Sequence, residues 1–233
     1  MQRLVRFEDI GSRDYKETWD YQENIFQQML KRKSLQRNGK LNEASINRLI
    51  FVEHPHVYTL GKSGSEDNLL LNYIQLKTKD ASFYRIDRGG DITYHGPGQI
   101  VAYPIFDLEI FNYKLKEYIY NLEEAIILTL QEFGISGGRL QGATGVWLDS
   151  HLEGRARKIC AIGVKASRYV TMHGLAFNVN TSLEYFDYIN PCGFKDKGVT
   201  SLEKELDHKQ DLDLVKAILR EKIQKVFGID WIN

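Results

Sequence analysis

The sequence predicts an α+β fold in a single domain, and three observations carry that reading. Short runs rich in β-branched and aromatic residues, each bounded by turn formers, recur along the chain: "RLVRFED", "NRLIFVEH", "SFYRID", "QIVAYPIF", "TGVWLD" and "KICAIGV". Helical patterns interrupt them without strict βαβ alternation, which favours mixed sheets with flanking helices over a doubly wound parallel sheet. The 233 residues are 42% hydrophobic and 12% aromatic, enough for one sizeable core, and four prolines leave no Pro-rich linker to divide it. Residues 1–233 are therefore read as one unit.

The elements follow in order. A first helix begins near Thr18 and runs into the charged stretch "KRKSLQRNGK". From Leu115 the apolar positions Tyr118, Ile119, Leu122, Ala125, Ile126, Leu130 and Phe133 fall three or four apart, as on one helix face. Asn112 is the expected N-cap of that helix and Gly134 its stop. The stretch "RKICAIGVKASRYVTMHGLAFNVN" reads as a hairpin. If its first strand is regular, Lys158, Cys160, Ile162 and Val164 share one face. Thr200 and Glu203 have capping-box spacing. Asp211 is expected to cap a last helix, about 211–227, that carries Leu212, Val215, Leu219, Val226 and Phe227 and ends at Gly228.

Composition excludes several classes. Lysine plus arginine equals aspartate plus glutamate, 31 each, so no global charge points to nucleic acid or a membrane surface. No apolar run approaches spanning length, and "MQRLVRFEDIG" lacks the apolar block of a signal peptide. Two cysteines without such a signal do not make a disulfide framework, so a reducing, cytoplasmic setting with a free thiol is expected. "GKSGSEDN" lacks the strand–GxxxxGK[ST]–helix arrangement of a phosphate loop. "HPH" at 54–56 is an isolated pair of histidines, and without HExxH or CxxC neither a metal nor any other cofactor is expected.

Two segments carry chemistry. In "RIDRGGDITYHGPGQIVAYPI" the Arg88 guanidinium, the His95 imidazole and Gly89, Gly90, Gly96 and Gly98 converge within eleven residues. The ordinary reading is two turns flanking a strand, but bare backbone beside an arginine and a histidine points to a site. In "FDYINPCGF", Cys192 stands between Pro191 and Gly193, where proline holds the backbone and glycine removes cover, as an exposed nucleophile requires. Cys160, inside an alternating strand, reads as a small core residue. Lys158 reads as a solvated strand-end lysine unless the fold brings its ammonium to Cys192, where a cation favours thiolate over thiol.

Taken in order, "RGGDITYHGPGQIVAYP", "GVW", "RKICAIG", "SRYVTMHGLAFNVN" and "INPCG" followed by "GVTSL" resemble the motifs of the lipoyl(octanoyl) transferase family, the octanoyl-carrier-protein–protein N-octanoyltransferases. The motif-bearing core spans about residues 45–206. The resemblance implies the fold of biotin- and lipoate-protein ligase catalytic domains. It also implies transfer of an octanoyl group from octanoyl-acyl carrier protein to a lysine of lipoyl domains, the first step in making protein-bound lipoate. Acceptors would be 2-oxoacid dehydrogenase E2 subunits and the glycine cleavage H protein.

It makes Cys192 the acyl-thioester nucleophile and Lys158 the residue that lowers its pKa. The acyl-binding segments fall on Arg88, Gly89, Gly90, Asp91, Ile92, Thr93, Tyr94 and His95, on Ala161, Ile162 and Gly163, and on Gly174, Leu175 and Ala176. Three positions depart from the pattern. Asp91 fills a variable slot, Cys160 stands where alanine is common, and Phe177 replaces the usual leucine, which bears on the acyl pocket. An acidic carrier implies a basic docking surface. Arg155 and Arg157 in "GRARK" are its preferred candidates over Lys31, Arg32, Lys33, Arg37 and Lys40, which read as a solvated helix face. Two other functions fit parts of the sequence: an ATP-dependent lipoate-protein ligase of the same fold, and a non-catalytic acyl- or lipoyl-domain binding module. Need for ATP separates the first from transfer, and formation of a covalent acyl-protein separates the second.

Overall fold

The computed structural model describes residues 2–40, 46–190 and 197–232. Pro191, Cys192 and Gly193 lie outside these, so the predicted nucleophile has no structural description. The chain begins with β1 (Leu4–Ser12), α1 (Tyr15–Arg37) and β2 (Asn47–Glu53), with β1 and β2 parallel. A small sheet follows: β3 (Val57–Leu60), then the short helix α2 (Tyr73–Thr78), β4 (Ser82–Arg85) and β5 (Ile92–His95). Its order is β4-β3-β5. Next come β6 (Gln99–Ile105), α3 (Leu108–Phe111), α4 (Leu115–Glu132), β7 (Gly137–Leu140), β8 (Ala143–Leu148), β9 (Arg157–Ser167) and β10 (Val170–Asn178). The described chain ends with β11 (Gly198–Val199), α5 (Leu202–Leu206), α6 (Leu212–Phe227) and β12 (Asp230–Ile232).

The larger sheet runs β12-β1-β2-β6-β10-β9-β8-β7, with β11 added beside β9, nine strands among the described residues. It mixes parallel pairs at the β12-β1-β2 edge and between β11 and β9 with antiparallel pairs elsewhere. This is the expected α+β arrangement of mixed sheets and flanking helices.

Helices cover both faces of this sheet, which explains why β6 is apolar at nearly every position rather than alternating. Leu49, Phe51, Ile100, Ala102 and Phe177 pack against Tyr118, Leu122 and Ile126 of α4 and Val215, Leu219 and Phe227 of α6. The departure at Phe177 therefore lies in this core. Ile50, Val52, Val101 and Tyr103 point the other way, towards Ile25, Phe26 and Met29 of α1.

Helix ends differ from expectation in three places, the first being α1, which starts at Tyr15 from an Asp14 cap rather than near Thr18. Asn112 adopts a left-handed conformation (φ 56°) as the C-cap of α3, and α4 starts from Lys114, whose amide donates to the Glu117 carboxylate. A one-turn helix intervenes where a single cap was expected. The α5 cap is Ser201, which accepts from the Lys204 amide, one residue later than the Thr200–Glu203 spacing suggested. The Thr200 hydroxyl instead bonds the Glu205 carboxylate. Asp211 caps α6 as expected, Gly228 (φ 61°) closes it, and Gly134 (φ 70°) follows α4. The β9–β10 hairpin turns at Arg168 and Tyr169, both at positive φ as a two-residue turn of matching twist requires.

Candidate active site

A cavity of about 800 Å³ opens between the two sheets on the α1 side of the larger one. Its floor is built by strand alternation. Val101 and Tyr103 of β6, Gly174 and Ala176 of β10, and Ala161 and Gly163 of β9 lie side by side across the ladders and line it. The volume suits a small-molecule ligand.

Lys158 reaches this floor through an irregularity. Val146 pairs with Cys160 and the next β8 residue, Trp147, pairs with Lys158, so β9 carries one extra residue, Ile159. This β-bulge reverses the side-chain alternation on either side of it. Ile159 and Cys160 both enter the core beneath α4, whereas Lys158 joins Ala161 and Gly163 at the cavity. The expectation that Lys158 and Cys160 share a face does not hold, because it assumed a regular strand. The Lys158 Nζ sits 4.6 Å from the centroid of the Trp147 ring, and the Trp147 Nε1–H is anchored on the Ala143 carbonyl at 3.1 Å. Cys160 is fully buried, and burial pushes its thiol well above the usual range.

The ends of the described chain on either side of residues 191–196 are tied to this site. The Asn190 amide donates to the Asn68 carbonyl at 2.8 Å, and Leu69 bridges Ile189. On the other side β11 runs parallel to β9, with Gly198 opposite Arg157 and Val199 opposite Lys158. The Thr200 amide donates to the Lys158 carbonyl at 2.9 Å. Tertiary pairing thus brings the flank of Cys192 to Lys158, thirty-four residues away in the sequence.

The glycine-rich segment folds over β9. The Gly89 amide donates to the Val164 carbonyl at 2.9 Å, so it is engaged by the strand rather than turned to a ligand. Arg88, Gly90, Asp91, Ile92, Thr93 and His95 line the cavity, while Gly89 does not. Tyr94 points into the small sheet's own core, its hydroxyl 2.7 Å from His56 Nδ1. The amides of Gly61, Lys62 and Ser63 donate to the carbonyls of Asp91, Arg88 and Gly90 at 3.0–3.2 Å. "GKSG" therefore braces the "RGGD" loop, and its amides are occupied by backbone.

Several small residues serve packing. A Cβ on Gly174 would lie 2.1 Å from the Ala102 carbonyl oxygen, and one on Gly163 2.9 Å from the Arg88 Cδ. Gly174 allows β10 to approach β6, and Gly163 seats the Arg88 loop. Ala161 and Ala176, with Ile162 and Leu175 beside them, also line the cavity.

A buried polar chain links the motifs. Arg88 Nη2 donates to the Thr59 carbonyl at 2.6 Å and to Thr59 Oγ1 at 3.0 Å, and Thr59 Oγ1 lies 3.5 Å from His95 Nε2. Gln99 Nε2 donates to the Tyr94 carbonyl and to Asn178 Oδ1, which leaves Gln99 Oε1 to accept from His95 Nδ1 at 2.8 Å. Asn178 Nδ2 then donates to the Thr200 carbonyl at 3.0 Å. In this arrangement His95 carries its proton on Nδ1. Burial, with a smaller contribution from neighbouring His54, lowers its pKa to about 3, so it is a neutral imidazole near pH 7. Sequence reasoning gave Gln99 and Asn178 no role, although both lie inside the family motifs. Their signal was an amide at the end of an otherwise apolar strand. His173 was also missed. It lines the cavity at φ 61° within β10, with Nε2 3.2 Å from Asp87.

The expected docking arginine is committed elsewhere. Arg157 makes a bidentate pair with Glu205 at 2.7 and 2.6 Å and also binds Asp149, so its charge holds β9 to α5. Lys33 is likewise buried in an ion pair with Asp107. Among the described residues, no group of three or more His, Cys, Asp or Glu is arranged to hold a metal ion, and no helix is long and apolar enough to cross a membrane.

Residues 14–224 match the family model described as lipoyl protein ligase A/B catalytic domain. The chain belongs to that family. Within it, the chain is 55% identical to an octanoyltransferase of Flavobacterium johnsoniae over 233 residues, covering 100% of both chains. It is 57% identical to an octanoyltransferase of Bacteroides fragilis over 209 residues, covering 90% of this chain and 91% of the relative. The family fold is seen at far lower identity in a bipartite lipoate protein ligase from Thermoplasma acidophilum, at TM-score 0.67 and 14% identity, covering 100% of this chain and 86% of the other. A lipoate-protein ligase A bound with ATP aligns at TM-score 0.67 and 13% identity, covering 100% of this chain and 90% of the other. Proteins named for octanoyl transfer and for lipoate ligation thus share this fold.

Proposed function

We propose that this chain is an acyltransferase of protein lipoylation that moves an octanoyl group from octanoyl-acyl carrier protein to a lysine of lipoyl domains, such as those of 2-oxoacid dehydrogenase E2 subunits and the glycine cleavage H protein. The observation that carries the reading is the placement of Lys158. A bulge turns its ammonium into a ligand-sized cavity, and its backbone holds the strand that follows the Cys192 segment. Full-length similarity to octanoyltransferases agrees with it.

In this reading the Cys192 thiolate attacks the octanoyl thioester carbonyl, and the carrier's thiolate leaves. The acceptor amine then attacks the enzyme thioester, an amide forms, and the Cys192 thiolate is released. One proton leaves the amine in the process. Lys158 favours the thiolate by its positive charge. Thioester to amide is downhill, so the transfer needs no ATP. Burying an eight-carbon tail over Ala161 and Ala176 contributes roughly 5 kcal/mol to binding, at about 0.8 kcal/mol per CH₂. A nucleophilic thiol of this kind works in a reducing setting, and the reading places the reaction in the cytoplasm.

The test is intact-mass analysis after mixing the protein with octanoyl-acyl carrier protein, followed by addition of a lipoyl domain without ATP. A covalent octanoyl-protein that passes its group to the domain is the expected result. Modification that requires ATP and free octanoate would assign ligase chemistry instead, and binding without any covalent species would leave only a binding module.

A further inference from the structure

We propose that Glu123, a buried carboxylate on α4 at the opposite face of the sheet from the cavity, is a positioning residue for Lys158. This rests on the reading of Lys158 as the cation that activates the thiol. The β8–β9 register shifts between Val146 and Trp147 at the Ile159 bulge. On the other edge of β8, the β7–β8 register breaks between the pairs Gly138–Trp147 and Leu140–Ala143, a stretch that contains Gly145. There the Gly145 N–H turns away from the ladder and donates to Glu123 Oε1 at 3.0 Å, in a buried bond. A backbone donor at a bulge needs such a partner when water is excluded.

The carboxylate is itself held in place. Its Oε2 accepts from Arg139 Nε at 3.0 Å, and Arg139 is fixed in turn by the Tyr120 carbonyl at 2.9 Å, by Glu124 at 2.8 Å and by the Tyr120 ring, 3.6 Å below its guanidinium. Gly145 adopts φ +117°, which L side chains rarely adopt. A Cβ there would lie 2.5 Å from the Cys160 carbonyl oxygen and 3.6 Å from Lys158 Cδ, so the lysine stem runs alongside the bare glycine. Two residues on, Trp147 presents its ring to the ammonium. The "GVW" motif is thus the seat of Lys158: Gly145 leaves room for the stem, Val146 anchors the strand in the core, and Trp147 meets the charge. Glu123 does not line the cavity. It acts through Gly145, by holding β8 in the geometry that the bulge requires.

The experiment compares Glu123→Met, Glu123→Gln and Lys158→Met in a Cys160→Ala background. It follows the pH dependence of Cys192 alkylation together with kcat and KM for octanoyl transfer. Glu123→Met is expected to raise the alkylation pKa in the same direction as Lys158→Met. It should lower kcat about tenfold, the loss of thiolate that a pKa higher by about one brings at neutral pH, with KM little changed. Glu123→Gln, which keeps an oxygen able to accept from Gly145, is expected to recover most of the wild-type titration. A folded Glu123→Met variant with wild-type titration, beside a shifted Lys158→Met, overturns this inference alone. Wild-type titration in Lys158→Met overturns the reading of Lys158 and this inference with it. If Glu123→Met does not fold, Arg139→Met, which releases the clamp on the carboxylate, replaces it: a shift in the same direction supports the role, and wild-type titration overturns it.

Discussion

Lys158 and Cys160 stand two residues apart on one strand and serve opposite faces of the sheet, the lysine at the cavity and the cysteine in the core. The single extra residue between them, Ile159, makes the difference. In a regular strand, Lys158 would share the face of Cys160 and its ammonium would have to be buried beneath α4, a costly arrangement.

Cys160 is therefore expected to be inert and Cys192 to carry the acyl group. Cys160→Ala should retain the octanoyl adduct and Cys192→Ala should lose it, as read by intact mass. An adduct that survives on the Cys192 variant sinks the assignment.

Lys158→Met keeps much of the stem and removes the charge, so it should move the Cys192 thiol up towards the roughly 8.5 of free cysteine. The sign is fixed: less thiolate at pH 7, slower acylation, and partial recovery as pH rises. A thiol pKa higher by one corresponds to about 1.4 kcal/mol, or about tenfold less thiolate at a pH well below it. Iodoacetamide alkylation across pH reads it, and an unchanged midpoint rules Lys158 out as the activating cation.

His54 and His95 are both held neutral by burial, with pKa values lowered to about 4 and about 3. The unfolded chain binds protons on these rings near pH 6.5 while the folded chain does not, so their contribution is intact above about 6.5 and is lost as pH falls towards 4. Each ring can cost up to about 1.4 kcal/mol per pH unit over that range. His95→Gln should flatten this part of the profile in urea denaturation between pH 7 and 5. The same slope in both proteins would show that His95 is not buried neutral.

The two cavity-floor glycines should separate. Gly174→Ala drives a methyl into the β6 backbone at Ala102 and should destabilise the fold by about 1–3 kcal/mol or more, with a lowered melting temperature. Gly163→Ala meets the Arg88 Cδ at 2.9 Å and the Gly89 carbonyl oxygen at 3.0 Å, a milder clash than the 2.1 Å at Gly174 and one confined to the Arg88 loop. It should cost less stability and reduce transfer activity by shifting the Arg88 loop. Equal melting losses in both would contradict the distinction.

Arg157→Ala should lower stability through the lost Glu205 and Asp149 pairs, whereas Arg155→Glu, at an exposed position, should not. If carrier docking uses this region, only the Arg155 change raises KM without a change in melting temperature.

Local chemistry made much of this protein readable in its sequence. The β-branched runs, the helical spacing from Tyr118 to Leu130 and the cap at Asp211 are short-range signals, and each appears in the fold as an element. The ordered motifs likewise pointed to the family on their own, because each is a few contiguous residues. What the sequence could not decide is long-range. Strand parity predicted the wrong face for Lys158, since a bulge is created by how two strands align and not by either alone. The short helix α3 and the cap at Ser201 depended on where neighbouring elements stop. Arg157 looked like a free docking charge until packing placed Glu205 and Asp149 beside it. The chain from Arg88 through Thr59, His95, Gln99 and Asn178 to Thr200 joins residues up to 141 positions apart. Such a network exists only after the two sheets close over one cavity, because only there does loss of water force each polar group to find a partner within the protein.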